Sequence, residues 1–75
     1  MTPEQCTAAR QIIRRSVVAL AKAAGLRRMA VERFETGEDV PADIQDQLRR
    51  TLEADGVEFF IEDGGRSGVR LRRQQ

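Results

Sequence analysis

Residues 16–37 read SVVALAKAAGLRRMAVERFETG, and the placing of glycines and apolar positions in this stretch decides the fold. Ser16 is an N-cap candidate opening SVVALAKAAG, in which Leu20, Ala21 and Ala24 form one narrow apolar face. Gly25 stands just past the last periodic residue, where a left-handed conformation ends a helix, and Leu26 can fold back onto the core. The spacing predicts a two-turn helix from Val17 to Ala24. After Leu26, Ala30, Val31 and Phe34 recur at helical spacing and Gly37 closes the run, which predicts a third helix from about Arg28 to Glu35. Two short helices around a glycine-containing turn outline a helix-turn-helix, and the small residues Ala21 and Ala24 let the pair approach closely. An αα-hairpin with no DNA role is the competing reading of the same pattern.

Upstream, Thr2 can cap, Pro3 suits the first helical position, and Gln5 stands where a capping box places its Glu or Gln. A first helix is expected over about Pro3–Arg14, with Cys6, Ala9, Ile12 and Ile13 inward and Arg10, Arg14 and Arg15 toward the flank or solvent. Cys6 reads as a small core residue. Downstream, EDVP is a loop because Pro41 disfavours helical geometry in Val40. A fourth helix is expected over Ala42–Ala54, with Ile44, Leu48 and Leu52 as its core stripe and Gly56 at its end.

From Val57 the period changes, and VEFFIEDGGRSGVRLRR reads as two strands around a glycine-rich turn. Placing Val57, Phe59, Ile61, Val69 and Leu71 on one face requires paired positions of equal parity, for example Ile61 opposite Leu71 or Val69. That parity sets Glu58 and Glu62 on the face of Arg70 and Arg72, where cross-strand pairs are worth about 0.2–1 kcal/mol each. Phe60 is left on the charged face. Since a lone hairpin is marginal in water, its apolar face is expected to pack on the helices, and Phe60 or a free strand edge to meet a second subunit.

A chain of 75 residues holds one domain, here a helical core over 1–55 and a hairpin over 57–73. Its small core makes a homodimer the expected state. One cysteine and no histidine exclude the usual zinc spacings and the commonest general base, so neither an enzyme nor a metal, cofactor or small-molecule ligand is expected. Neither a membrane span nor a secretory signal is apparent, so the cytoplasm is the expected compartment. The net charge of +1 hides an asymmetry. Residues 1–37 hold seven basic against three acidic residues, and the remainder six against nine. A basic N-terminal half fits a partner with an anionic backbone.

The segments RSVVALAKAAGL and RRMAVERFETG resemble the helix-turn-helix of the phage-repressor-like (XRE, Cro/C1-type) regulators, with matches at Ser16, Leu20, Ala21, Ala24, Gly25, Leu26, Val31, Phe34, Glu35 and Gly37. The opening MTPEQCTAAR, the phrase LEADGVEFF and the ending GVRLRR are similar to a compact bacterial subgroup with a C-terminal GVEF…GVRLR hairpin. The resemblance implies a mostly α, four-helix lambda-repressor-like domain with a C-terminal two-stranded antiparallel β-hairpin. It implies a cytoplasmic transcriptional regulator, with the third helix in the major groove of double-stranded DNA. Carried over by position, base contacts fall on Arg28, Met29 and Arg33. Backbone contacts fall on Ser16, Val17, Arg27, Arg15 and Lys22, and an ion pair between Arg10 and Glu35 links the first helix to the end of the third. Arg28 or Arg33 can donate two hydrogen bonds to guanine, and Met29 can either contact a thymine methyl or sit partly in the core.

The chain also departs from the pattern. Relatives open the second helix with SQEEL, whose Gln reaches DNA, where this chain has SVVAL. A small polar cap is replaced by Arg27, a Ser-Thr pair by Met29 and Ala30, and the following loop carries Glu38 and Asp39, which phosphate repels. Two further function classes therefore stand beside the regulator: a protein-interaction module that kept the fold without DNA readout, and an antitoxin-type component that binds DNA and a toxin.

Overall fold

The chain starts its first helix by satisfying amides that a helix end leaves without partners. Thr2 Oγ1 accepts the Gln5 amide at 3.1 Å and Gln5 Oε1 accepts the Thr2 amide at 2.9 Å, the reciprocal capping box, with Pro3 at the first helical position. The computed structural model describes residues 1–62 and 64–72. In it α1 spans Pro3–Ile12, α2 Val17–Ala24, α3 Arg28–Glu35 and α4 Ala42–Ala54, followed by β1 (Val57–Ile61) and β2 (Ser67–Leu71). The fold is mostly α, four helices with a C-terminal two-stranded antiparallel hairpin. Asp63 in the expected turn and Arg73 at the end of the expected hairpin lie outside the described residues.

The first helix ends two residues before the expected Arg14. Arg14 adopts φ 54°, the left-handed region, while its own amide donates to Gln11 O at 3.1 Å and the Arg15 amide to Arg10 O at 2.9 Å. This pair of bonds is the Schellman closure, usually built on glycine, so no residue type in the sequence announces it. The other helices have the expected bounds. Ser16 Oγ accepts the Ala19 amide at 3.0 Å to open α2, and Gly25 at φ 70° closes it, allowing the Leu26 amide to reach Ala21 O at 2.8 Å. That left-handed residue is the position where a Cβ would be strained.

The core is Cys6 and Ala9 from α1, Leu20 and Ala21 from α2, Val31 and Phe34 from α3, Leu48 and Leu52 from α4, and Val57 at the head of β1. Each helix therefore buries two residues of its expected stripe, while Ile12, Ile13, Ala24, Ala30 and Ile44 of those stripes are only half-buried.

The hairpin has the expected parity but a tighter register. Val57 pairs with Leu71, Glu58 with Arg70, Phe59 with Val69, Phe60 with Gly68 and Ile61 with Ser67, not with Val69 or Leu71. The turn decides this: the Glu62 amide donates to Arg66 O at 2.6 Å and the Gly65 amide to Glu62 O at 2.9 Å, closing the loop directly after Ile61. Glu58 meets Arg70 at 3.1 Å and Arg72 at 3.4 Å on the charged face. Of the apolar face, Val57, Phe59 and Val69 pack on the core, whereas Ile61 and Leu71 are 75% and 50% exposed. The expectation that the helices cover all five is thus corrected: the head of β1 and the Phe59–Val69 pair are covered, while Ile61 at the turn end of β1 and Leu71 at the end of β2 stay in solvent. Gln5, 7% exposed, fixes the seat by donating from Nε2 to Gly68 O at 3.0 Å and Phe60 O at 3.4 Å.

Candidate nucleic-acid interface

Orientation of α3 follows from which of its residues are apolar. Val31 and Phe34 enter the core and Ala30 is half-buried, which turns Arg28, Met29, Glu32 and Arg33 to the surface. Met29 is 54% exposed and does not join the core, so of the two roles open to it the outward one is the one its position allows. Together with Glu32, Thr36 and Glu38, Met29 and Arg33 line a shallow groove along the helix. The three residues expected to read bases therefore stand on the exposed side of one helix.

A partly buried ion pair fixes the C-terminal end of α3. Arg10 Nη2 lies 2.9 Å from Glu35 Oε1 and Arg10 Nε 3.0 Å from Oε2, a bidentate pair joining α1 to α3. Thr7 Oγ1 donates to Oε1 at 3.0 Å, Cys6 Sγ stands 3.5 Å from Oε2, and Arg10 Nη1 donates to Arg15 O at 3.3 Å. Burial pushes the Glu35 carboxyl up, but hydrogen bonds from Arg10, Thr7 and Cys6 and the Arg10 charge outweigh it and hold Glu35 below its ordinary value. The Arg10 guanidinium is held above its ordinary value, chiefly by its hydrogen bonds to Glu35. Burial, then the Glu35 charge, pushes the Cys6 thiol up to about 12, so it is neutral and inert at neutral pH. Thr7 and Cys6 were not visible as parts of this network in the sequence, because their role depends on α3 crossing α1.

The residues expected at the DNA backbone are more dispersed. Ser16 Oγ is occupied by its own helix's Ala19 amide. Val17 is half-buried against the core, and the neighbouring Val18 is 56% exposed, an apolar residue beside the start of α2. Arg15 points to the end of α4, where its Nε lies 3.2 Å from Asp55 Oδ2, so the structure does not group it with α2 and α3. Lys22 and Arg27 are exposed and form no ion pair among the described residues, nor does Arg33. Arg28 is paired: its Nε lies 2.8 Å from Glu32 Oε1, one turn along the helix. Glu32 escaped the sequence reading, although its position four residues after Arg28 was the available signal.

Phe60, the expected dimer residue, is engaged inside its own hairpin. The Arg70 guanidinium stands 5.1 Å from its ring centroid, and the ring lies so close over Gly68 that a Cβ there would come within 2.5 Å of Phe60 Cζ. The more exposed apolar side chains of the hairpin are Ile61 and Leu71. Among the described residues no group of three or more His, Cys, Asp or Glu is arranged to hold a metal ion, and no helix is long and apolar enough to cross a membrane. No protein-family model matches the chain, and no curated protein matches it.

Proposed function

We propose that the chain is a sequence-specific, double-stranded-DNA-binding transcriptional regulator of the cytoplasm that inserts α3 into the major groove. The observation that carries this reading is the outward set Arg28, Met29 and Arg33 on a helix whose opposite side is held by Val31, Phe34 and the Arg10–Glu35 pair. A helix so fixed presents its polar side without further ordering, which is what readout of base edges needs.

In this mechanism Arg33, and Arg28 beside it, donate paired hydrogen bonds to O6 and N7 of guanine, each worth about 1–3 kcal/mol of discrimination. Met29 covers a thymine methyl. Lys22 and Arg27 neutralise phosphates, and the free amides at the start of α2 face another. Two to three neutralised phosphates per protomer give a slope of about −2 to −3 in log K against log salt. One such helix supplies little affinity, so a homodimer on two half-sites is part of the proposal.

The test is a selection from random 20-base-pair duplexes followed by a salt series on the enriched sequence. Enrichment of one motif, a steep salt dependence and loss of sequence preference in R28A/R33A support the reading. Helix 3 amide signals unmoved by duplex at low salt would overturn it. A protein-interaction module is the second reading, and specific observations favour it: Val18 and Met29 are exposed apolar residues on α2 and α3, and Glu32, Glu38 and Asp39 lower the positive charge around α3. The antitoxin-type reading has no such observation of its own.

A further inference from the structure

Among the described residues β1 and β2 pair with each other and with no further strand, so both outer edges of the sheet are free. The Glu62 amide donates to Arg66 O and the Arg72 amide to Gly56 O, which assigns the ladder bonds to the even-numbered residues. Alternation then turns the amides and carbonyls of Val57, Phe59 and Ile61 outward from β1, and those of Ser67, Val69 and Leu71 outward from β2. Among the described residues no backbone carbonyl outside the ladder accepts these amides. An open groove beside each strand leaves room for the side chains of an added one: Met1, Arg49, Phe59 and Ile61 line the groove at β1, and Thr2, Glu4, Ala8 and Val69 the groove at β2.

Charge decides between the edges and sets the register. When two copies of one strand join antiparallel about a twofold axis, the axis passes through one residue, and the outward groups of the two copies then meet. Like charges directly opposite each other destabilise such a pairing. Centred on Gly68, Val69, Arg70 or Leu71, β2 against β2 sets Arg66 opposite Arg70, Arg66 opposite Arg72, Arg70 opposite itself, or Arg70 opposite Arg72. Centred on Glu58 or Phe60, β1 against β1 sets Glu58 opposite itself or opposite Glu62. Centred on Phe59, it pairs the whole of β1 with no like charges opposed: Val57 meets Ile61, Phe59 meets Phe59, and Glu58 meets Phe60.

This register also gives two solitary side chains a neighbour. Ile61, 75% exposed, comes opposite Val57 of the second copy, at the margin of that copy's core. Glu58 takes both Arg70 and Arg72, while Glu62 forms no ion pair among the described residues. In the joined sheet Glu62 stands in one row with Gly56 and Arg72 of the second copy, and Gly56 has no side chain to keep the charges apart. The twofold axis repeats both matches.

We propose that the free edge of β1 is a self-association surface on which two copies join β1 to β1 about a twofold axis at Phe59. The product is a four-stranded antiparallel sheet with both helical bodies on one face. This supplies an interface for the homodimer of the DNA-binding reading, and its test uses no DNA, so the two fail separately.

The experiment is sedimentation equilibrium of the full chain, with amide hydrogen exchange followed by NMR in dilute and concentrated samples. Wild type should be dimeric at about 100 μM, with the Phe59 and Ile61 amides exchanging about tenfold more slowly than in the dilute protein. I61K, at a position exposed in the protomer, should raise the dimer Kd about tenfold. E62R and R72E alone should each raise it about fivefold, and an equal mixture of the two should recover wild-type affinity within about twofold, since mixed pairs join opposite charges. Circular dichroism of dilute samples checks that each variant keeps its helices. A monomer at this concentration overturns the proposal and leaves readout by α3 to the duplex selection. A polymer of no fixed size, in which β1 joins β2 of the next copy, overturns it as well. A dimer whose Phe59 and Ile61 amides exchange as in the dilute protein, or a mixture as weak as its components, overturns the β1 register.

Discussion

Removing Arg10 tests whether α3 is held by a buried charge pair. In R10A the Glu35 carboxylate, 10% exposed, would keep only Thr7 and Cys6 as donors. Leaving a buried charge uncompensated costs about 3–5 kcal/mol, and the partial exposure of Arg10, 18%, places this case near 3 kcal/mol. A 75-residue domain has a total stability of roughly 4–11 kcal/mol, so the variant should keep about 1–8 kcal/mol and lose a quarter to three quarters of the total. With a urea slope near 1 kcal/mol per molar for a domain this small, the unfolding midpoint should drop by about 3 M. E35A strands the arginine and should cost nearly as much. The double variant should cost about 2 kcal/mol less than the sum of the singles, since neither charge is then left behind. The assay is urea unfolding followed by circular dichroism at 222 nm. Single variants that each cost less than about 1 kcal/mol, with additive effects, would mean that the pair behaves as a surface bridge and that the argument for a fixed α3 fails.

The same carboxylate gives a pH dependence. Its folded pKa lies below the ordinary 4.5, so its contribution is complete above about 4.5 and is lost as pH falls through the folded value; acidification should destabilise wild type more than E35Q, as read by urea midpoints at pH 7 and pH 3. The Cys6 pKa is raised from 9.0 to about 12, so its contribution is complete below 9.0 and is lost as pH rises toward 12. A thiol reagent at pH 8 should label Cys6 only in urea, and fast labelling of native protein would contradict the burial argument. Gln5→Ala removes the capping box and the bonds to Phe60 and Gly68, and should lower stability by about 2 kcal/mol while exposing hairpin amides to hydrogen exchange; normal protection there would show that the seat is set by packing alone. Gly68→Ala should push the Phe60 ring aside at a cost of about 1 kcal/mol, seen as lost ring-current shifts at residue 68 and at Arg70; unchanged shifts would deny the close stacking.

Helix order, three of the four helical spans and hairpin parity follow from local rules. Caps such as Thr2 and Ser16, stops such as Gly25 and Gly37, and apolar spacing act within a few residues, where a sequence carries its own context. Arg14 shows where such rules end, since a left-handed arginine is selected by the hydrogen bonds it permits and not by its own preference. The outward placing of Arg28, Met29 and Arg33 was legible because Val31 and Phe34 had to face the core.

What the chain settled by itself was therefore the element pattern and the side of α3 left to solvent, both consequences of short-range periodicity. Tertiary structure decided the rest: that Arg15 goes to Asp55, that Gln5 seats the hairpin, that Cys6 and Thr7 join Arg10 around Glu35, and that Ile61 and Leu71 stay uncovered. Each joins residues far apart in sequence, or depends on where one surface ends against another. Such relations exist only once the helices have crossed, because a hydrogen bond or a buried contact depends on distances that no local preference encodes.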